Sequence, residues 1–373
     1  LSGAYMHRRS FLKSGAALPL AAMSGLPTSA RADAASDAAD ATWRVFEVTA
    51  RVEVVEPAGV TRVWLPVPLT ADTDYFKNLG STWSSDAGGV RYVVDPKYQA
   101  GMVSAAFPES AKKPVLKVTS RFATRDRTTD LSRSRPVVKE DPAVLKVALA
   151  STDLLPTDGI VRDTARDIVK GQRNDIDKAR AIYEWIVDNT FRDPDVRGCG
   201  WGDIQSMLES RNFGGKCGDL NALFVGLARS VGIPARDVYG IRVAKSRKGY
   251  VSLGANTEVI SKAQHCRAEF YAEGYGWIPV DPADVRKVVL EEPPGHLALS
   301  DAKVRAARER LFGSWEMNWL AYNYAHDVQL PGSSYPRIPY LMYPTGETAQ
   351  GRLDSLEPDT FKYVITAREI ALT

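Results

Sequence analysis

The amino-acid sequence predicts an α+β fold in which a helix carrying a cysteine packs on an antiparallel sheet, next to an N-terminal antiparallel β domain. Three observations support this prediction. Residues 43–122 alternate apolar and polar residues in short runs separated by glycine, proline and aspartate. Much of 143–231 instead places apolar residues at the three- and four-residue spacing of helices. Two further alternating runs, over 265–271 and 275–281, then predict a hairpin.

The N-terminal β domain is predicted from alternating runs such as 45–52, 60–66 and 115–122. No catalytic constellation stands out within it, so we expect it to support the fold or to form a wall of a cleft. The charged, proline-bearing residues 126–142 are interpreted as a linker. Helices are then expected over 143–149, 158–171 and 175–189.

The predicted organisation has five segments. They are a signal peptide over 1–32, a disordered leader over 33–42, the β domain over 43–128, a catalytic domain over 129–290 and a C-terminal extension packed on the core over 291–373. A mature chain of about 340 residues is long enough for one large domain or two moderate ones. The hydrophobic content of 44% is sufficient for a full core.

A cysteine marks the start of the most distinctive predicted helix. Cys217 follows a glycine-containing turn, and Gly232 and Pro234 end the helix. The apolar residues between them share one helical face: Leu220, Leu223, Phe224, Leu227, Ala228 and Val231. Most unpaired cysteines are small buried hydrophobes. At a helix start, however, the helix dipole and unpaired N–H groups favour the thiolate, so the position predicts a reactive nucleophile.

The hairpin after this helix is predicted to bring a histidine and an aspartate together. The odd positions of 265–271 are polar, so His265 is expected to face away from the core side of its strand. With a tight turn at 272–274, His265 pairs across from Asp281, and a shift of two residues would keep both on one face. A carboxylate orients an imidazole, and an imidazolium stabilises a neighbouring thiolate. Cys217, His265 and Asp281 therefore form a predicted catalytic triad; a surface histidine and an Asp-Pro turn are the alternative interpretation.

Four segments carry a family resemblance: GGKCGDLNALF over 214–224, ARSVGIPAR over 228–236, HCRAEFY over 265–271 and GYGWIPVDP over 274–282. In these the sequence resembles the transglutaminase-like superfamily of papain-type cysteine enzymes, particularly a bacterial branch provisionally named as cysteine proteases. The resemblance is close over about residues 170–290 and looser over 312–365. It implies a papain-like core, with Cys217 as nucleophile, His265 as base and Asp281 as third member.

One position departs from that family. The residue two after the histidine is often aromatic in such proteins, and here it is Arg267. If its side chain lines the cleft, it adds a fixed cation that favours carboxylate-bearing substrates and lowers the pKa of His265. The alternative is a solvent-exposed arginine paired with Glu269 or Asp281.

Other polar residues near the predicted nucleophile receive weaker assignments. Trp201, Gln205 and Arg211 are alternative side chains for an oxyanion hole, and the sequence does not choose among them. Asp219 and Asn221 are interpreted as a helix-start acid and as part of a polar helix face rather than as catalytic residues.

The three cysteines allow two interpretations. Either all are free, which is slightly preferred, or Cys199 and Cys266 pair and leave Cys217 reactive. Cys266 is expected to point opposite His265, which would keep such a bridge away from the active face. The four histidines show no paired ligand spacing, and no glycine-rich phosphate-binding motif is present. The sequence therefore predicts neither a metal site nor a cofactor.

The N-terminus indicates export. Residues 7–13, HRRSFLK, form a twin-arginine pattern followed by a mildly apolar run and a small-residue cleavage sequence. We expect a Tat signal cleaved after Ala32, the Tat translocase as a partner during export, and a periplasmic or secreted product. Residues 1–5 precede Met6 and are interpreted as an upstream start or a cloning remnant. The apolar run is too short for a stable membrane anchor.

The charge balance gives no indication of nucleic-acid binding. The predicted signal contains four basic residues and no acidic ones, so removing it changes the formal net charge from +3 to −1. The basicity of the whole chain therefore comes from the signal and does not imply a nucleic-acid surface.

The sequence predicts an exported cysteine enzyme that acts on amide bonds by acyl transfer. A protein or peptide is the expected substrate, and hydrolysis is preferred because water is abundant and nothing specifies an amine site. One alternative is a non-catalytic scaffold that binds peptides or glycans in the same cleft, although an intact Cys-His-Asp set argues against it. The other is an amidase acting on cell-wall peptides.

Overall fold

A computed structural model describes residues 42–86, 89–134, 137 and 139–371. The predicted signal peptide and the leader up to residue 41 lie outside these ranges.

The described strands are β1 (Arg44–Val54), β2 (Thr61–Pro66), β3 (Phe76–Ser85), β4 (Gly89–Val94), β5 (Gly101–Phe107), β6 (Val115–Thr124), β7 (Arg127–Thr128), β8 (Phe191–Arg192), β9 (Gly214–Gly215), β10 (Ala235–Arg242), β11 (Gln264–Ala272), β12 (Gly276–Val280), β13 (Ser314–Trp315), β14 (Trp319–Asn323), β15 (His326–Val328), β16 (Ile338–Tyr340), β17 (Thr345–Thr348), β18 (Gly351–Leu353) and β19 (Phe361–Ile370). The described helices are α1 (Pro142–Val147), α2 (Gly159–Ile168), α3 (Asp175–Asn189), α4 (Ile204–Ser210), α5 (Cys217–Ser230), α6 (Pro282–Glu291) and α7 (Ala302–Arg310).

Two antiparallel sheets share an apolar core, as in a β-sandwich. Their strand orders are β19-β1-β6-β3 and β18-β17-β2-β5-β4. Val52, Val63, Val103, Leu116 and Phe361, from five different strands of the two sheets, are all fully buried there. The alternating runs of the sequence thus correspond to β1, β2 and β6, while both sheets are completed by strands from the C-terminal part of the chain.

A third antiparallel sheet, in the order β12-β11-β10-β14, forms the base on which α5 packs. Every residue of α5 from Cys217 to Arg229 is buried. A helix that is buried on all sides needs partners for its polar groups. Arg229, for example, donates through Nε to the Ala235 carbonyl at 2.8 Å. The fold is therefore α+β, with the cysteine-bearing helix packed on an antiparallel sheet as predicted.

The predicted register of the β11–β12 hairpin is wrong by two residues. Ala268 pairs with Val280 and Ala272 with Gly276, so the turn occupies 273–275 rather than 272–274. Gly274 lies at a φ of +81°, the left-handed conformation that glycine adopts without strain. Because β12 ends at Val280, Asp281 lies just beyond the last ladder pair instead of directly across from His265.

Near its start, the predicted linker over 126–142 contains a residue, Arg127, that packs into the fold. Arg127 lies in β7, which pairs with β13, and its guanidinium binds the fully buried carboxylate of Glu269 on β11. The same carboxylate accepts from Arg236 Nε at 2.7 Å, and the Arg236 guanidinium lies 3.8 Å from the ring centroids of both Trp277 and Tyr324. The charged composition was interpreted as a linker, but Arg127 and Arg236 share the buried carboxylate of Glu269.

Within the described ranges, no helix combines the length and the apolar composition that crossing a bilayer requires.

Candidate functional site

Cys217 is the first residue of α5 and is 4% exposed. Asp219 organises the chain around this helix start. Its carboxylate accepts from the Lys216 backbone N–H and from the Gly202 backbone N–H, each at 2.9 Å. Asp219 is thus a helix-start acid, as expected, and it also ties the preceding loop to the helix.

Two glycines allow the loop over 197–202 to lie directly against this helix start. The Gly218 N–H donates to the Cys199 carbonyl at 2.7 Å, and a Cβ atom at Gly218 would stand 2.6 Å from that oxygen. Gly200 has a φ of +87°, and a Cβ there would overlap the Asp219 carboxylate. The close approach brings Cys199 beside Cys217.

His265 and Asp281 form a direct hydrogen bond in the interior. Nε2 of His265 lies 2.7 Å from Oδ2 of Asp281, and the two side chains are 4% and 0% exposed. Oδ1 of Asp281 accepts from the Asp284 backbone N–H at 3.0 Å, which caps α6. It also accepts from Asn221 Nδ2 at 3.1 Å. The expectation of a polar helix face at Asn221 is therefore wrong, because this fully buried side chain holds the Asp281 carboxylate.

A second buried carboxylate contacts the same imidazole. Asp284 Oδ1 lies 3.4 Å from His265 Nε2 and 2.5 Å from Arg242 Nη2. Burial and Arg242 lower the pKa of His265, but Asp284 and Asp281 outweigh them and raise that pKa to about 9. The imidazolium is consequently the stable form at neutral pH, opposite to the lowering that the sequence suggested.

All three cysteines of the chain meet at this point. Each is a free thiol, and the Sγ atoms of Cys199, Cys217 and Cys266 all lie within 4.8 Å of one another. Cys266 therefore does not point away from the site, because its strand passes beneath the helix start. Hydrogen bonds from Cys199 and Cys266, and then from His265, lower the pKa of Cys217 well below that of an ordinary thiol, although burial raises it. The pKa of Cys266 is raised, chiefly by burial.

Arg267 does not line the cleft. Its side chain is 2% exposed and lies against the rings of Trp319 and Trp315, with guanidinium-to-centroid distances of 4.7 and 5.5 Å. Its Nε stands 3.6 Å from Asp281 Oδ2, and its Nη1 donates to the Glu316 carbonyl at 3.0 Å. Neither predicted position of Arg267, in the cleft or exposed to solvent, is correct. The side chain does lie close to Asp281, as the second interpretation expected.

Two side-chain sets have the spacing to share a metal ion among the described residues: the three thiols, and His265 with Asp281 and Asp284. The second set already has cationic neighbours, because Arg242 binds Asp284 and Arg267 lies beside Asp281. A further cation there would be repelled. The three-thiol set consists of sulfur ligands alone, and soft metal ions prefer sulfur ligands.

Cys217 and His265 open into a cleft of about 620 Å³. Its far side is formed by C-terminal residues, including Tyr343, Leu356 and Tyr363. None of the three suggested oxyanion-hole side chains, Trp201, Gln205 and Arg211, is among the residues that line it.

Sequence reasoning missed three residues that hold the site together. Asp284 stands three residues after Asp281, a spacing that fits a helix start, and Arg242 ends β10 directly after the apolar residues 238–241. Asn221 lies one helical turn after Cys217 and directly before the apolar residues 222–228 of the same helix. Buried polar residues on apolar elements usually have specific partners, so this signal was present in the sequence.

These contacts predict that Cys217 reacts first with alkylating agents. At about pH 6, well below the pKa of about 8.5 of a free thiol, iodoacetamide should label Cys217 ahead of Cys199 and Cys266. The readout is peptide mass spectrometry over a pH series, and the His265→Ala variant should move the labelling of Cys217 to higher pH. Equal labelling of all three thiols in the native protein at that pH would contradict the assignment.

The chain is similar to several known proteins. A protein-family profile described as the transglutaminase-like superfamily matches residues 162–282, which include Cys217, His265 and Asp281. An uncharacterised protein of Haemophilus influenzae is 34% identical over 343 residues, covering 87% of this chain and 92% of its own length. A crystal structure from Cytophaga hutchinsonii, provisionally named a cysteine protease, is 16% identical with a TM-score of 0.49, covering 88% of this chain and 98% of its own. The periplasmic domain of TgpA from Pseudomonas aeruginosa is 16% identical with a TM-score of 0.32, covering 69% and 93%. The chain belongs to the transglutaminase-like superfamily.

Proposed function

We propose that this protein is an exported cysteine enzyme that acts on amide bonds by acyl transfer through Cys217, His265 and Asp281. The observation that carries the proposal is the 2.7 Å contact between His265 Nε2 and Asp281 Oδ2 beside the Cys217 thiol. It fixes the ring orientation and leaves Nδ1 as the nitrogen available for proton exchange.

In the proposed reaction the Cys217 sulfur attacks the amide carbonyl carbon, and the start of α5 favours the negative charge that develops on the oxygen. His265 then gives its proton to the departing amine, which leaves a thioester on Cys217. Water attacks that thioester with His265 as general base, and the acid product departs. Asp281 remains ionised and orients the ring throughout.

Hydrolysis is preferred to transfer onto an amine on electrostatic grounds. The residues that line the cleft include no aspartate or glutamate to hold an ammonium group, and all of them lie within the described ranges. Water, in contrast, reaches the open cleft without a dedicated site.

The triad predicts a graded series of variants. A synthetic peptide mixture is incubated with the protein, and new termini are followed by mass spectrometry. Cys217→Ala and His265→Ala should abolish turnover. Asp281→Asn should lower kcat by about 10² to 10⁴, because its amide nitrogen would donate to His265 Nε2 and move the ring proton to Nδ1. Its remaining oxygen can still cap α6, so the variant should fold, as circular dichroism would show.

Controls separate this series from its alternatives. A Cys217→Ala, Asp281→Asn double variant should be no slower than Cys217→Ala, because members of one catalytic unit are not additive. Full activity in a folded Asp281→Asn protein, with loss in Asp284→Asn, would transfer the orienting role to Asp284. Peptide binding by native and Cys217→Ala proteins alike, without turnover in either, would identify a scaffold instead of an enzyme.

Export is the second part of the proposal, and it rests on the twin-arginine pattern at Arg8 and Arg9. Replacing both with lysine should retain the precursor in the cytoplasm. Cell fractionation with N-terminal sequencing tests this, and a mature form beginning at Asp33 in the periplasmic fraction of the variant would refute the assignment.

A further inference from the structure

The cleft that contains Cys217 and His265 is lined by an unusual set of charges. Six of its residues are basic and none is an aspartate or glutamate. The basic residues are Arg192, Arg197, Lys216, Arg242, Lys262 and Lys287. They come from β8, from the loops before α5, from β10, from the segment before β11 and from α6, so several elements contribute positive charge to the cleft that contains the reactive thiol.

Three carboxylates behind the lining compensate part of this charge. Glu291 is shared by Arg192 and Lys287, Asp354 pairs with Arg197, and Asp284 pairs with Arg242. Four of the six positive charges therefore share three carboxylates, which leaves Lys216 and Lys262 without a carboxylate partner among the described residues. Lys216 donates only to the carbonyls of Pro194 and Val196, at 3.0 and 2.5 Å, and exposed Lys262 forms no ion pair with any residue in the described ranges.

The neighbouring positive charges also affect Lys287 in the wall of the cleft. Burial lowers the pKa of Lys287, and the neighbouring guanidiniums of Arg242 and Arg192 lower it further. A concave surface of one charge sign, bounded by protein of low dielectric constant, focuses its field on a bound ligand. The ligand that relieves this repulsion is an anion.

We infer that the cleft selects acidic peptides, with carboxylate groups within one or two residues of the amide that reacts. Lys216 immediately precedes Cys217, so a substrate carboxylate beside the reacting carbonyl would meet its ammonium group. Farther out, the exposed Lys262 and Arg197 would meet the next carboxylate, while Tyr343 and Leu356 would pack against the peptide chain. This inference rests on the proposed function only for the reaction of the bound peptide; binding of the peptide does not depend on it.

Binding can be measured without catalysis, in the Cys217→Ala protein. A fluorescein-labelled peptide of alternating glutamate and alanine is titrated by fluorescence anisotropy beside the matched glutamine peptide. The glutamate peptide should bind more tightly, and added salt should weaken it. Replacing both Lys216 and Lys262 with glutamine should weaken it by about tenfold. Replacing exposed Lys112 and Lys113, which lie outside the cleft lining, makes the same charge change and should have no effect.

Equal affinity for the two peptides would overturn the inference, as would equal effects of the two lysine pairs. Competition by a single-stranded DNA oligonucleotide of the same charge, as strong as that of the peptide, would also overturn it, because the site would then be a general polyanion site. Failure of the proposed enzyme activity would leave these binding results unchanged, so the two ideas fail separately.

The three-thiol cluster independently supports a second inference. Among the thiols only Cys199 and Cys217 line the cleft, whereas Cys266 is fully buried in the middle strand of its sheet. Cys199 lies in a loop and is joined to α5 through its carbonyl and the Gly218 N–H. A loop can close the remaining distance to an S–S bond of about 2.05 Å more easily than a central strand can.

We propose that hydroperoxides convert Cys217 and Cys199 into a reversible disulfide. The Cys217 thiolate attacks the peroxide, an S–O bond forms, the O–O bond breaks, and the released alkoxide takes up a proton to leave as alcohol or water. Cys217 is thereby oxidised to the sulfenic acid while the peroxide is reduced. Cys199 then attacks the Cys217 sulfur, an S–S bond forms, and hydroxide departs with the thiol proton as water.

Peptide mapping of the native protein after hydrogen peroxide treatment tests this step. A Cys199–Cys217 crosslink that dithiothreitol reverses is expected, and Cys266→Ser should leave it unchanged. Cys199→Ser should instead accumulate sulfinic acid at Cys217, because no resolving thiol remains. A Cys217–Cys266 crosslink, or sulfinic acid at Cys217 in the native protein without any crosslink, would overturn the proposal.

Discussion

The carboxylate of Asp281 is the junction on which the site depends. One oxygen binds His265 at 2.7 Å, and the other accepts from Asn221 and from the N–H that begins α6. A single buried group thereby fixes the cysteine-bearing helix, the histidine strand and the following helix relative to one another. Its complete desolvation is tolerable only because its hydrogen-bonding capacity is used and cations lie near it. The structural role of Asp281 is therefore combined with the chemical role that we propose for it.

Along β11, three further buried polar side chains are each compensated by a partner of opposite charge. His265, Arg267 and Glu269 are all buried, and each has a partner of opposite charge. Replacing one member would leave its partner as an uncompensated interior charge, which is far more costly than losing an exposed ion pair. Apolar and charged positions thus alternate along β11, and aromatic rings lie over the guanidinium groups of Arg267 and Arg236.

Local chemistry was predictable from the sequence, and long-range placement was not. The helix starting at Cys217 was predictable because glycine, proline and apolar spacing all agree on its limits. His265 and Asp281 were found despite a register error of two residues, since such a shift preserves the face of a strand. The burial of Arg267 depends on tryptophans at positions 315 and 319, and the meeting of three thiols depends on a glycine contact at Gly218. In both cases the contacting residues are far apart in the sequence, so no local sequence pattern predicts the contact.

The pairing of β1 with β19 has a consequence for how the protein is made. Val54 pairs with Phe361 and Val45 with Ile370, so the first described strand waits for almost the last residues of the chain. Contacts of such high sequence separation slow folding, because a long loop must close before they form. During synthesis β1 therefore leaves the ribosome long before β19 has been made, and one of its edges stays uncovered until then. A nascent chain that has not yet reached Phe361–Ile370 therefore cannot complete the first sheet.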